Sequence, residues 1–217
     1  MANRPFRHTG LNLDRNQVES LLSNQGPGDH YYVDYRNGAD ANDGETWGTA
    51  KKTLSAAISA VTTNNNDVIH IDGDSTVVET AMITLSKSRV HIVGHNGALG
   101  HYGQGAKVSV GITTAATDIG TFKNTGVRNT FTGVKFINNN TVAQAIYVVV
   151  ENGEFARYSN CEFYEGVDFA TTTTGEILLN GDSAMFYDCT IGSSANETAG
   201  ISANVLCTNV VGQLRDC

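Results

Sequence analysis

Apolar positions along this chain alternate with polar ones in short runs and seldom recur at helical spacing. "QAIYVVVENG" at 144–153, "GEILLNG" at 175–181 and "GISANVLCTN" at 200–209 are β-branched or aliphatic, and each ends on an Asn or Gly turn signal. Among them a phrase returns: "ARYSNCEF" at 156–163, "AMFYDCTI" at 184–191 and "GQLRDC" at 212–217. Cys161, Cys189 and Cys217 are 28 residues apart. Tyr158, Phe186 and Leu214 share one column of this repeat, Ala156, Ala184 and Gly212 another, and Gly153, Gly181 and Asn209 a third. A step back of 27 residues finds "NTFTGVKF" at 129–136. There Phe131, Gly133, Val134 and Phe136 fall in the columns of Tyr158, Asn160, Cys161 and Phe163, and Gly126 falls in that of Gly153. "VHIVGHNG" at 90–97 has the same form, but Gly94 and Gly133 are 39 apart, so the intervening turn carries extra residues.

Two or three short strands per 27 or 28 residues is too compact for a propeller blade, which takes about 40. It predicts an all-β fold in which each repeat is one coil of a parallel β-helix, with coils about 4.8 Å apart. Gly94, Gly133, Asn160, Asp188 and Asp216 form a column of residue types that accept a left-handed backbone cheaply, where others lose about 1–2 kcal/mol. A sharp bend is expected at each, resetting which side chains face inward. The predicted core stack is Phe131, Val134, Tyr158, Cys161, Phe186, Cys189, Leu214 and Cys217. Its cysteines are read as small buried hydrophobes, because Val134 shares their column.

Upstream, "YYVDY" predicts a strand and "NGADANDG" a turn-rich loop, whereas Leu54, Ala57, Ile58 and Val61 follow helical spacing. A short amphipathic helix there would cover the open end of a coil stack. "LDRNQVESLLSNQGPG" predicts another short helix, with Leu13, Val18, Leu21 and Leu22 on one side. The expected organisation is an N-terminal segment at 1–30, a lead-in strand, loop and capping helix at 31–66, and coils at 67–217. Because the last repeat stops at Cys217, the stack is expected to continue past the given chain.

Composition narrows the partners. A net charge of −8 argues against nucleic acid, which needs clustered Lys and Arg. Arg4, Arg7 and Arg15, opposed only by Asp14, form either a contact arm or a solvated tail. No apolar run marks a secretory signal or a membrane span, so no membrane partner is expected and synthesis is expected in a host cytoplasm. Four cysteines are too few for a disulfide framework at this length.

Tyr32-Val33-Asp34, the loop closing on Asp43-Gly44, the Thr53-Leu54 to Ala57-Ile58 helix and Val68-Ile69-His70-Ile71 before Gly73 carry a resemblance. They resemble the opening of right-handed parallel β-helix proteins of the pectin-lyase-like superfamily, of the kind found in bacteriophage tail spikes and virion-surface fibres or decorations. The resemblance covers residues 31–217. It implies a virion structural protein at the particle surface, joined to other virion proteins through residues 1–30 and assembled as a homotrimer, with a host-surface glycan as a further partner. The alternative is a tail spike that binds or degrades polysaccharide. The fold carries lyases, hydrolases, adhesins and inert shafts alike.

Catalysis in such folds uses clustered Asp, or carboxylates on neighbouring coils. Candidates are Glu162, Glu165, Asp168, Asp182 and Asp188. Asp188 and Asp216 belong to the bend column, and the positions in register with Glu165 and Asp168 are Ser193 and Asn196. The hydrolases' paired Asp, Gly-His-Gly and Arg-x-Lys motifs do not occur. The expectation is therefore no enzyme and no catalytic, cofactor-binding or metal-binding residue, with no cofactor. His91, His95 and His101 have no Cys or carboxylate following at ligand spacing and are expected as exposed loop residues. The oxygens at Asp40–Gly44 could circle calcium, but no bidentate Glu follows, which favours a turn built on Asx hydrogen bonds.

Overall fold

Short runs of β-branched and aromatic residues, each cut off by Gly, Asn or Asp, are too brief to build a sheet with their sequence neighbours. They can pair sideways only with the corresponding run one repeat away. In the computed structural model, which describes residues 28–72, 77–95, 108–112, 120–138, 147–165, 175–192, 205–208, 212–215 and 217, this happens in three parallel sheets. Sheet A holds β1 (His30–Val33), β2 (Val68–Asp72), β5 (His91–His95), β8 (Thr130–Thr132), β11 (Arg157–Ser159), β14 (Ala184–Tyr187) and β17 (Gly212–Arg215). Sheet B holds β3 (Val77–Glu79), β6 (Val108–Ile112), β9 (Val134–Asn138), β12 (Glu162–Glu165) and β15 (Thr190–Ile191). Sheet C holds β4 (Ile83–Leu85), β7 (Gly120–Asn124), β10 (Tyr147–Glu151), β13 (Gly175–Leu179) and β16 (Val205–Cys207). From β2 onward the chain visits A, B and C in turn, so each circuit is one coil. The fold is a right-handed parallel β-helix.

The register puts like residues in line. On sheet A, Ile69, Ile92, Phe131, Tyr158, Phe186 and Leu214 occupy one ladder. Phe131 and Tyr158 stack with ring centroids 4.5 Å apart, and Tyr158 and Phe186 at 4.8 Å. Phe136 and Phe163 of sheet B stack at 5.6 Å, with Phe122 of sheet C edge-on to Phe131. Such pairs contribute about 0.5–1.5 kcal/mol each beyond burial of their area, and they fix which coil lies on which.

Three turns explain the coil. Gly133, Asn160 and Asp188 have φ of 68°, 51° and 49°; Gly133 alone, Asn160 with Cys161 and Asp188 with Cys189 join sheet A to sheet B. Gly94 departs from its expected place in that column. It lies inside β5 opposite Ile71, without a left-handed φ, because the strand runs on to His95 and the extra residues of this turn follow it. Asp216 lies outside the described residues. A second left-handed column, which composition does not reveal, precedes the first by five residues: Arg89, Arg128, Phe155 and Ser183, with φ of 55–60°. Bonds between coils hold it, Arg89 N–H donating to Val127 O at 2.9 Å and Arg128 N–H to Glu154 O at 2.8 Å. The glycine column has a steric cause: a Cβ on Gly153 would sit 2.1 Å from Gly126 O, and one on Gly181 1.8 Å from Gly153 O.

Of the expected core stack, Phe131, Val134, Tyr158, Cys161, Phe186 and Cys189 are buried. Leu214 is 54% exposed and Cys217 is exposed, contrary to expectation. Leu214 belongs to the last rung of sheet A, whose outer side no described strand covers, and Cys217 lies just past that strand. All four cysteines are free thiols. At the other end, helix α1 (Leu54–Ala60) lays Leu54, Ala57 and Ile58 over the core. Thr53 caps it, its Oγ1 accepting from Ala56 N–H, and Glu79 of the first coil accepts from Leu54 N–H at 2.8 Å.

Candidate functional site

Because strand side chains alternate, the residues between the buried ladder positions of sheet A face outward. One outward row is His30, Val68, His91, Thr130, Arg157, Met185 and Gln213. The next is Tyr32, His70, Val93, Thr132, Ser159, Tyr187 and Arg215. Neither row contains a carboxylate, although the chain carries 22 Asp and Glu against 14 Lys and Arg. Aspartate enters at the margins, where Asp72 stands opposite His95, Asp67 lies beside His91 and Asp188 follows Tyr187. Tyr32, Val68, His70 and His91 are nevertheless buried, so the rows present the His30 imidazole, the Arg157 and Arg215 guanidiniums, the hydroxyls of Thr130, Thr132 and Ser159, and the Tyr187 ring.

Its N-terminal part is an imidazole chain. His30 Nδ1 lies 2.8 Å from His70 Nε2, and His70 Nδ1 lies 2.8 Å from His95 Nε2. A neutral His70 must donate from one nitrogen and accept at the other, so the chain is directional. His70, only 1% exposed, also stacks on Tyr32 of the neighbouring strand with ring centroids 4.9 Å apart. Trp47 meets both Tyr32 and His95 edge-on and is 43% exposed. His91 departs from the exposed loop position expected of it. It is a buried strand residue whose Nδ1 meets Thr130 Oγ1 at 2.8 Å and whose Nε2 has no partner; burial lowers its pKa to about 4. His101 lies outside the described residues.

Towards the C-terminus the face ends in Tyr187 between two arginines. Arg157 Cζ stands 4.9 Å and Arg215 Cζ 5.9 Å from the ring centroid. Both arginines are exposed.

The carboxylates singled out in the sequence are not brought together. Glu162 pairs with Lys135 at 2.8 Å on sheet B, whereas Asp182 and Asp188 are exposed turn residues. Asp168 and the Glu165 side chain lie outside what is described. In the Asp40–Gly44 loop the carbonyls converge on an ammonium: Lys51 Nζ donates to Asn42 O at 2.6 Å and Asp40 O at 3.4 Å. Asp43 Oδ1 accepts from Glu45 N–H at 3.0 Å, an Asx turn. Among the described residues no group of three His, Cys, Asp or Glu is arranged to hold a metal.

One carboxylate is conspicuous inside the coil. Glu151 is fully buried, and its two oxygens accept from Asn124 Nδ2 (2.9 and 3.0 Å), Gly153 N–H (2.7 Å) and Tyr158 OH (2.5 Å). Burial raises its pKa to about 7 against the pull of these donors, none of which is a cation. In sequence it reads only as the polar end of "YVVVE"; that a strand of sheet C turns inward there is a fact of register.

No protein family profile and no curated protein matches the chain. Its backbone is similar to solved pectin methylesterases. Against PemA of Erwinia chrysanthemi the TM-score is 0.50 at 14% identity, over 86% of this chain and 55% of that one. Against a mutant pectin methylesterase in complex with a hexasaccharide it is 0.50 at 14%, over 88% and 67%. At this identity the likeness shows the fold alone, and the chain spans little more than half of the Erwinia protein. The expectation that the chain is no enzyme is nevertheless corrected, because the proteins that share its coil are enzymes by name.

Proposed function

We propose that this chain is a surface-displayed β-helix of a bacteriophage particle that holds an acidic polysaccharide along the outward face of sheet A. The observation that carries the reading is that face: two rows across seven strands without one carboxylate, on a chain of net charge −8. An acidic glycan supplies what such a face lacks. Its sugar rings lie on exposed aromatic planes and its carboxylates meet Arg157, Arg215 and His30. A β-helix of the same fold was crystallised with a hexasaccharide, which supports an oligosaccharide as occupant. What supports the particle is the resemblance of the sequence over residues 31–217 to virion-surface β-helices. Residues 1–30 attach the chain to other virion proteins, and the assembled form is a homotrimer.

The test is to image purified particles of the phage that encodes the chain, labelled with antibody to residues 31–217. Label spread over the head makes the chain a decoration, and label on the tail makes it a spike. Unlabelled particles that nevertheless adsorb normally would refute the virion assignment.

A further inference from the structure

His30 on β1, His70 on β2 and His95 on β5 lie on a diagonal of sheet A, each one rung on and two residues further along than the last. Both N···N contacts along this diagonal measure 2.8 Å. At that length two nitrogens must share one proton, since two lone pairs or two N–H groups face to face repel. The links occupy both nitrogens of His70, and His30 Nε2 and His95 Nδ1 stand at the ends. Neutral rings bring one proton each, so the neutral chain holds one in each link and one at an end. A proton added to the other end makes the chain a cation with both links intact. A second added proton finds no nitrogen outside the links, and it sets N–H against N–H.

An end ring must then give way. His70 cannot, being 1% exposed and stacked on Tyr32, whereas His30 and His95 are half-buried. The two ends differ in what stands beside them. The register partner of His30 is Val68, but that of His95 is Asp72, a carboxylate placed to receive an imidazolium. Trp47 rests on His95, edge-on at 5.9 Å. The other charged and titratable groups of these elements are Asp29, Tyr31 and Asp34 in or beside β1, Asp67 before β2, and Asp43 and Glu45 on the loop that carries Trp47. Arg36 lies near Asp34, and Lys51 Nζ donates to the carbonyls of Asn42 and Asp40. The carboxylates favour added positive charge on the imidazoles. His91 of β5 takes no part, because its Nδ1 meets Thr130 Oγ1 and burial lowers its pKa to about 4.

We infer that His30, His70 and His95 form an acid-sensitive latch: the chain takes up one proton intact, and a second breaks the His70–His95 link, turns His95 towards Asp72 and frees the Trp47 ring. The latch is a property of the coil and stands apart from the proposed function.

The experiment titrates the full chain, with its histidines labelled with nitrogen-15, from about pH 8 to about pH 5. Nitrogen–nitrogen coupling across both links is expected at the start. On acidification the His70–His95 coupling should vanish while the His30–His70 coupling persists. Trp47 is the only tryptophan, so its emission should move to longer wavelength in the same step. Far-UV circular dichroism should stay constant through that step. His95→Phe keeps a ring under Trp47 but has no nitrogen to protonate, and should abolish the emission step. Asp72→Asn removes the receiving carboxylate and should move the step to lower pH. Absence of coupling at the start, persistence of both couplings throughout, or an emission step that coincides with loss of circular dichroism would each overturn the latch. So would an unchanged step in both variants.

Discussion

Glu151 offers the sharpest physical test of the coil interior. Its pKa stands at about 7 in the fold, against an ordinary value of 4.5, because a buried carboxylate with only neutral donors is poorly compensated for lost hydration. A folded-state pKa above the unfolded one gives stability that is present in full below about pH 4.5 and is lost as pH rises through 7. The difference of about 2.5 units corresponds to about 3 kcal/mol. Glu151→Gln removes the titration while keeping the side chain's shape. The amide oxygen can still accept from Asn124 and Gly153, and the amide nitrogen can donate to Tyr158 OH. Any fixed cost of the substitution is the same at all pH. The stability of the variant minus that of the wild type should therefore climb by about 3 kcal/mol between pH 4 and pH 8. Urea denaturation of both proteins, followed by far-UV circular dichroism at several pH values, measures this directly. A difference flat within about 0.5 kcal/mol would mean that Glu151 is not desolvated as the fold requires, and the account of sheet C's inner edge would fail.

His91 should tilt the opposite way: its folded pKa of about 4 lies below the ordinary 6.5, so its contribution is lost as pH falls between those values, and His91→Gln should remove that acid-side loss in the same denaturation series. Gly153→Ala places a Cβ 2.1 Å from Gly126 O and should cost at least about 1–3 kcal/mol, whereas Gly48→Ala, whose Cβ meets nothing closer than 3.8 Å, should cost under about 0.5 kcal/mol by the same assay. Asn160 has φ of 51°, so Asn160→Val should cost about 1–2 kcal/mol and Asn160→Gly much less, and equal effects would remove the bend argument.

What the sequence made legible was the period. Where the repeat is regular, from Phe131 to Cys189, columns read from spacing alone coincide with the ladders of sheets A and B. The helix over the open end was equally readable, because Leu54, Ala57 and Ile58 must share a face to bury together. Legibility failed where tertiary contacts overrule residue type. Arg128 and Phe155 are poor choices for a left-handed backbone, and only the bonds between coils explain them. Gly94 looked like a bend but continues a strand, since the insertion after His95 makes the bend unnecessary there. The functional face escaped for a related reason. Its two rows draw one residue from each of seven rungs, and β1, β2 and β5 lie ahead of the regular period, so no local motif announces that His30, His70, Arg157 and Arg215 share a side. Glu151 hid at the end of an apolar run, where a carboxylate ordinarily marks a solvated turn.

The central claim is that an acidic chain displays a carboxylate-free face to an acidic polysaccharide. The most direct measurement is binding of the full chain to immobilised polygalacturonate and to neutral dextran over a range of ionic strength. The account predicts retention on the acidic polymer, weakening as salt screens the arginines, and little retention on dextran. Equal retention on both polymers, or on neither, would contradict it.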